Sequence, residues 1–361
     1  MSTKVIDADG HVLEDDTLVT FLEASPAGAI SNRKMTGLWP SIDYHHSGIH
    51  VRSAEAFGGG KRVGAAEWAA FVEQANLTYS ALYPSMGLAM GCTTSPYWAV
   101  AVAKAYNDWL HQTYMLKDAR LKGIALLPMQ DVPSAVSELR RAVKELGMIG
   151  AMLPANGLSH HLGSKHYWPV YEEAERLGCP LAVHGGNHSR MGFDDFEVYT
   201  PMNGLGHPFG QMIAFSSFVF HGVFDEFPTL RIAFLEAGSG WVSLWIDRMD
   251  RSWQYHADIL PDGKIRTLKE KKPSDYFRNG RVFIGCEGSE VSLPAQIKRV
   301  GNELFMFASD FPHEVSASDC LHEIEEIEES EELTDADKRA ILCDNAARFY
   351  AYAGAPVASP A

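Results

Sequence analysis

Eight short apolar runs recur along the chain, rich in β-branched and aromatic residues, and amphipathic stretches separate most of them. They occupy residues 5–9, 78–83, 121–127, 149–153, 180–184, 230–236, 282–286 and 304–310. Most are continuous rather than alternating, the pattern of strands covered on both faces. The stretch from Val132 carries Pro133 near its start and stops at Gly147; residues 167–177 stop at Gly178. Both read as amphipathic helices with conventional punctuation. Residues 65–74 and 209–224 predict two more. Eight strand–helix units predict an α/β fold, a (β/α)8 TIM barrel. A doubly wound open sheet is the alternative.

The spacing is uneven after the first strand. Residues 14–66 hold Pro40, the run Gly58-Gly59-Gly60 and the histidines His45, His46 and His50. This insertion is expected to lie over the barrel mouth as a lid or an oligomer contact. Residues 1–352 read as one domain, and the small, proline-containing residues 353–361 as a flexible tail. The acidic run 323–332 keeps Ile324 and Ile327 three apart, which predicts a solvated helix face.

Composition narrows the function. The 361 residues carry 31 Lys+Arg against 46 Asp+Glu, a net charge of −15. That argues against a nucleic-acid binder, which needs a basic face, and disfavours docking on anionic lipid. No apolar run is long enough to span a bilayer, and the first residues show no apolar leader pattern. The five cysteines are scattered without a CxxC pair, as expected of reduced thiols in a cytoplasmic protein.

Polar residues collect where the apolar runs stop. The first run ends in Asp7-Ala-Asp9-Gly-His11, with Glu14 just beyond; the fifth ends in His184-Gly-Gly, with His188 beyond. The sixth ends in Glu236-Ala-Gly and the eighth in Ser309-Asp310-Phe311-Pro-His313. In a barrel these positions converge at the C-terminal mouth. Taken singly, each has a plain structural explanation, such as helix capping, turn formation or core packing. Taken together, carboxylates and imidazoles from four strand ends form a ligand set for a divalent metal. His207 and His188 are expected near the mouth as substrate contacts, with His313 orienting the Asp310 loop. The aromatic residues Trp241, Phe311, Tyr83, Phe193 and Phe196 would suit a planar apolar ligand. His160, His161 and His166 read as loop residues, His221 as structural, and His256 and His322 as surface residues.

These motifs resemble the amidohydrolase superfamily, in particular the branch typified by aminocarboxymuconate-semialdehyde and γ-resorcylate decarboxylases. The resemblance runs from about Lys4 to Tyr350 and includes Leu82-Tyr-Pro, Gly123-Ile-Ala-Leu-Leu-Pro128, Phe227-Pro-Thr-Leu-Arg-Ile232 and the Glu236-Ala-Gly-Ser-Gly-Trp241 stretch. It implies a (β/α)8 barrel whose strand-one, strand-five and strand-eight residues hold Zn²⁺ or Mn²⁺. Asp9, His11, His184 and Asp310 then become metal ligands, with Glu14 and Glu236 as further candidates. Asp310 and Glu236 are the candidate proton-transfer groups.

Two departures from the family pattern stand out. Asp9 replaces the usual first histidine, which favours harder ions such as Mn²⁺ or Fe²⁺. Glu236 stands where the decarboxylases carry an acid–base histidine. Strand four ends Leu153-Pro-Ala-Asn156, without a lysine to bridge two metals.

The expected function is a metal-dependent non-oxidative decarboxylase, or a related hydrolase, of a small aromatic or cyclic carboxylic acid. A dinuclear Mn/Fe or di-iron oxygenase, with a second metal on Glu14 and Glu236, is one alternative. A catalytically silent partner subunit is another. A homo-oligomer, dimer or tetramer, is implied by the resemblance, and a hetero-oligomer fits the silent-subunit reading.

Overall fold

A computed structural model describes residues 4–23, 37–42, 63–256, 258–259, 263–270, 272–313 and 315–351. Eight strands follow one another around a single parallel sheet: β1 Val5–Val12, β2 Leu77–Pro84, β3 Leu121–Leu126, β4 Gly150–Pro154, β5 Leu181–His184, β6 Ile232–Leu235, β7 Val282–Cys286 and β8 Phe305–Phe307. Each strand pairs with the next in sequence, and helices cover the outside. The sheet closes just past β8. Asp310 N–H donates to Asp9 O at 2.9 Å, and His11 N–H donates to Phe311 O at 2.7 Å. The expected (β/α)8 barrel is the observed one.

Local sequence explains the elements. Every residue of β4 to β8 is buried, so their apolar runs face the barrel interior on one side and helices on the other. The helix Val132–Lys144 is capped by Asp131, whose carboxylate accepts Ser134 N–H at 2.9 Å. The helix Trp168–Leu177 ends on Gly178 at φ 65°, a left-handed position where glycine carries no Cβ penalty. Ala317–Glu329 turns Cys320, Ile324 and Ile327 inward.

Two elements differ from the sequence reading. β1 continues to Val12 rather than stopping at Asp9, because Gly10, His11 and Val12 keep pairing with Leu82, Tyr83 and Pro84. Its register slips by one residue between Asp7 and Gly10, a bulge that re-aims the intervening side chains. Gly10 is required there, since a Cβ would collide with the Trp68 ring. The helix expected from Phe209 begins at Tyr199 and runs to His221. Pro208 breaks the sequence pattern by removing one donor, yet the helix passes through it.

The expected insertion separates β1 from β2. Its described parts are residues 14–23, with the helix Thr17–Glu23, and residues 37–42 and 63–66. Most of the predicted lid, with His45, His46, His50 and the Gly58–Gly60 run, lies outside the described residues, as does the predicted tail. Among the described residues no helix is long and apolar enough to cross a membrane.

Candidate metal centre at the barrel mouth

The bulged end of β1 delivers Asp9 and His11 to the barrel axis, and the last residue of β5 is His184. All three are buried. Asp9 Oδ1 lies 3.6 Å from His11 Nε2, and Asp9 Oδ2 lies 3.3 Å from His184 Nε2. The other nitrogen of each imidazole faces a backbone carbonyl. His11 Nδ1 is 2.8 Å from Pro84 O, and His184 Nδ1 is 3.0 Å from Gly185 O. A carbonyl only accepts, so it fixes the tautomer with the hydrogen on Nδ1. The Nε2 lone pairs of both rings then point at the same spot as Asp9. Asp9 Oδ1, His11 Nε2 and His184 Nε2 are buried without a hydrogen-bond partner. Buried polar atoms are rarely left so, and three of them within metal-ligating reach of one another fit a divalent cation.

Two more carboxylates rim this spot. Glu236 and Asp310 each follow their strand at φ 53°, a strained position for a non-glycine residue. Asp310 Oδ1 lies 3.3 Å from His11 Nε2 and 2.9 Å from His313 Nδ1. Glu236 Oε2 lies 3.4 Å from His184 Nδ1 and 3.6 Å from His207 Nδ1. His207 fits this close because Gly185 offers no Cβ against its ring.

Burial dominates the electrostatics. It raises Asp9, and together with repulsion from Asp310 it pushes Glu236 up to about 8. Burial and the neighbouring histidines hold His11 and His207 well below the usual range, which keeps both rings neutral. Burial also opposes charge on His184, but the neighbouring Asp9 and Glu236 pull its pKa up; a cation bound at Nε2 would displace that proton.

Above the cluster opens a cavity of about 440 Å³. Glu236, Asp310, His207, His188 and His313 line it, with Asn203 and Tyr199 on one wall and Leu13, Met86 and Leu88 among its apolar lining.

Three expected site residues lie elsewhere. Trp241 is buried among Phe215, Phe234 and Phe277, packing the outer helix layer on the barrel. Phe311 stacks on Phe71 at 3.9 Å between ring centroids and is core, not mouth. Glu14 stays out of the metal cluster, because its carboxylate accepts the N–H groups of Ser85, Met86 and Gly87 at 3.3, 2.9 and 2.9 Å. Of the other aromatics, Tyr83 donates to or accepts from Tyr350 beneath the cluster, with its ring 5.5 Å from His184. Phe193 packs against Phe196 and Phe209.

Sequence reasoning passed over Asp7. Fully buried under the cluster, its carboxylate accepts Asp9 N–H at 3.3 Å, Ser309 N–H and O–H at 2.9 Å each, and Ser80 O–H. It ties β1 to β2 and to the end of β8. Burial raises its pKa from 3.8 to about 6. The folded state therefore holds this proton more tightly, and the stability it confers is complete below pH 3.8 and lost as pH rises to about 6. The loss is about 3 kcal/mol for such a shift. Asp7→Asn is expected to remove this pH dependence and leave the protein at least as stable at pH 7. Its amide still accepts through Oδ1, and the serine hydroxyls can turn to accept from Nδ2. Asp7→Ala strands several buried donors and is expected to cost about 2–4 kcal/mol. Urea unfolding of both variants between pH 4 and 7 checks this; a pH-independent wild type contradicts it.

A family model described as Amidohydrolase matches residues 6–351, nearly the whole chain. The chain belongs to the amidohydrolase family. Among its relatives, the 2-amino-3-carboxymuconate-6-semialdehyde decarboxylase of Dictyostelium discoideum is 26% identical over 72% of this chain and 69% of its own. The γ-resorcylate decarboxylase of Polaromonas sp. is 27% identical over 69% of this chain and 76% of its own. Two solved structures share the fold over 97% of this amidohydrolase. One is the 5-carboxyvanillate decarboxylase of Sphingomonas paucimobilis, 21% identical, with a TM-score of 0.73 over 99% of that chain. The other is its counterpart from Novosphingobium aromaticivorans, complexed with manganese and 4-hydroxy-3-methoxy-5-nitrobenzoic acid. It is 16% identical, with a TM-score of 0.72 over 97% of that chain.

Proposed function

We propose that this amidohydrolase is a metal-dependent non-oxidative decarboxylase of a small aromatic or cyclic carboxylic acid. The observation that carries the reading is the set of three unpartnered buried ligand atoms, on Asp9, His11 and His184, next to the acids Asp310 and Glu236 that line the cavity. The decarboxylase relatives support the same chemistry.

Asp9, His11 and His184 would hold one divalent ion, with Asp310 within reach of it. When bound, that ion supplies Lewis-acid charge for the substrate carboxylate and an adjacent hydroxyl or ketone oxygen. The cavity orients the ring between its Asn203 and Tyr199 side and its apolar lining. Asp310 delivers a proton to the ring carbon bearing the carboxylate; the C–C bond then breaks, CO₂ leaves with its bonding electrons returned to the ring, and water reprotonates Asp310. Glu236, whose carboxyl pKa burial pushes up, would donate a hydrogen bond to a substrate oxygen in its protonated form. The dinuclear oxygenase reading is not favoured, because Glu14, its candidate second-metal ligand, spends its carboxylate on backbone N–H groups.

The test is turnover of a 2-hydroxybenzoate in D₂O. Decarboxylation puts deuterium on the carbon that lost CO₂; hydrolysis of an ester or amide analogue with no such exchange overturns the reading. Glu236→Gln keeps a hydrogen-bond donor, so it is expected to retain its metal and lose about ten-fold in kcat/KM, the worth of a weakened hydrogen bond. Loss of metal from this variant would make Glu236 a ligand instead.

A further inference from the structure

The Asp310 acid is not held by its own loop alone. His313 Nδ1 is 2.9 Å from Asp310 Oδ1, and His313 Nε2 is 2.6 Å from the Ser85 hydroxyl. Ser85 immediately follows β2, and Glu14 gathers its N–H together with those of Met86 and Gly87. Pro84, the neighbouring residue, accepts from the Nδ1 of the metal-centre residue His11, and the His11 and His313 rings stack at 4.1 Å between centroids. One stretch, residues 84–87, therefore braces both a candidate metal ligand and the partner of the candidate acid. Glu14 is the anchor of that stretch.

We propose that Ser85 and Glu14 are positioning residues for proton transfer, acting through His313 on Asp310. The inference rests on Asp310 being the proton donor. Its logic is the tautomer of His313. A neutral imidazole has one donor and one acceptor nitrogen. In this arrangement the Ser85 hydroxyl, 2.6 Å from Nε2, serves as the donor, so that the ring hydrogen stays on Nδ1 and points at Asp310 Oδ1. That occupies Oδ1 as an acceptor and leaves the transferable proton to Oδ2. Without Ser85 Oγ the ring can put its hydrogen on Nε2, and an Nδ1 lone pair then opposes the Asp310 carboxylate. Glu14 adds no proton of its own; it fixes where the Ser85 hydroxyl stands. This gives a half-buried carboxylate outside the metal cluster a role in the reaction.

The test uses Ser85→Ala, which removes the hydroxyl and leaves the backbone bonds to Glu14. Loss of a partner that orients a reacting group typically costs 10–100-fold. Ser85→Ala is expected to lower kcat by about that factor, with KM and metal content unchanged. Ser85→Thr, which restores a hydroxyl, should recover most of it. Glu14→Gln should act in the same direction with its metal retained. The independent readout is ¹⁵N NMR of histidine-labelled, zinc-loaded protein without substrate, with the His313 signal assigned through His313→Gln. Wild type should show the Nδ1–H tautomer, and Ser85→Ala should lose it. This arm does not depend on turnover, so it stays readable even if the wild type releases no CO₂. An unchanged tautomer in Ser85→Ala, an unchanged kcat, or loss of metal from Glu14→Gln would each overturn the proposal.

Discussion

Asp310→Asn is expected to lower turnover by at least about 10³-fold, the upper part of the range for removing a general acid. The substitution is close to isosteric. The amide Oδ1 still accepts from His313 Nδ1, now 2.9 Å away, and the backbone bond from Asp310 N–H to Asp9 O is untouched. The barrel therefore stays closed, and the melting temperature should move little. What is lost is the ionisable oxygen that gives up the proton. Asp9, His11 and His184 remain, so metal content should be retained. Initial rates, metal content and a thermal melt on one preparation check all three points. Near-wild-type turnover would remove Asp310 from the reaction, and loss of metal would make it chiefly a ligand.

The second large effect is on the metal. His184→Ala deletes an Nε2 lone pair that has no other partner and leaves Asp9 Oδ2 without its 3.3 Å neighbour. Deleting one of three ligands should weaken metal binding by more than about 100-fold, beyond the 10–100-fold typical of losing a group that merely orients a ligand. It also removes one of the two imidazoles beside the buried Asp9 carboxylate, which should lower stability. The variant should be isolated nearly metal-free, with little activity and a lower melting temperature. Elemental analysis and calorimetry decide it. Full metal occupancy with wild-type stability would mean that His184 is not a ligand.

Much of this site is legible in the sequence. The eight apolar runs give the barrel because continuous burial on both strand faces leaves a plain signature. The positions of His184, Glu236 and Asp310 at or just past their strand ends follow from where those runs stop. The bulge in β1 is not legible, since a one-residue slip is set by the register with β2 rather than by residue type. Trp241 and Phe311 mislead for a related reason: an aromatic next to a strand end can pack outward as readily as inward, and here Phe71 and the Phe215 cluster claim them. Glu14 is misleading because a carboxylate near a metal motif is also an acceptor for backbone N–H groups, and chain spacing does not reveal which it serves. Asp7 and Ser85 are passed over because their partners, Ser309 and His313, lie more than two hundred residues away. A hydrogen bond between distant segments leaves no local pattern.

The most direct measurement is CO₂ release from carboxylated phenols by one protein preparation in three states: as purified, stripped by chelator, and reloaded with manganese or zinc. The account predicts CO₂ release as purified, none after stripping, and recovery on reloading with about one ion per chain. Release that survives complete removal of metal, or O₂ consumption with two ions per chain and no CO₂, would contradict it.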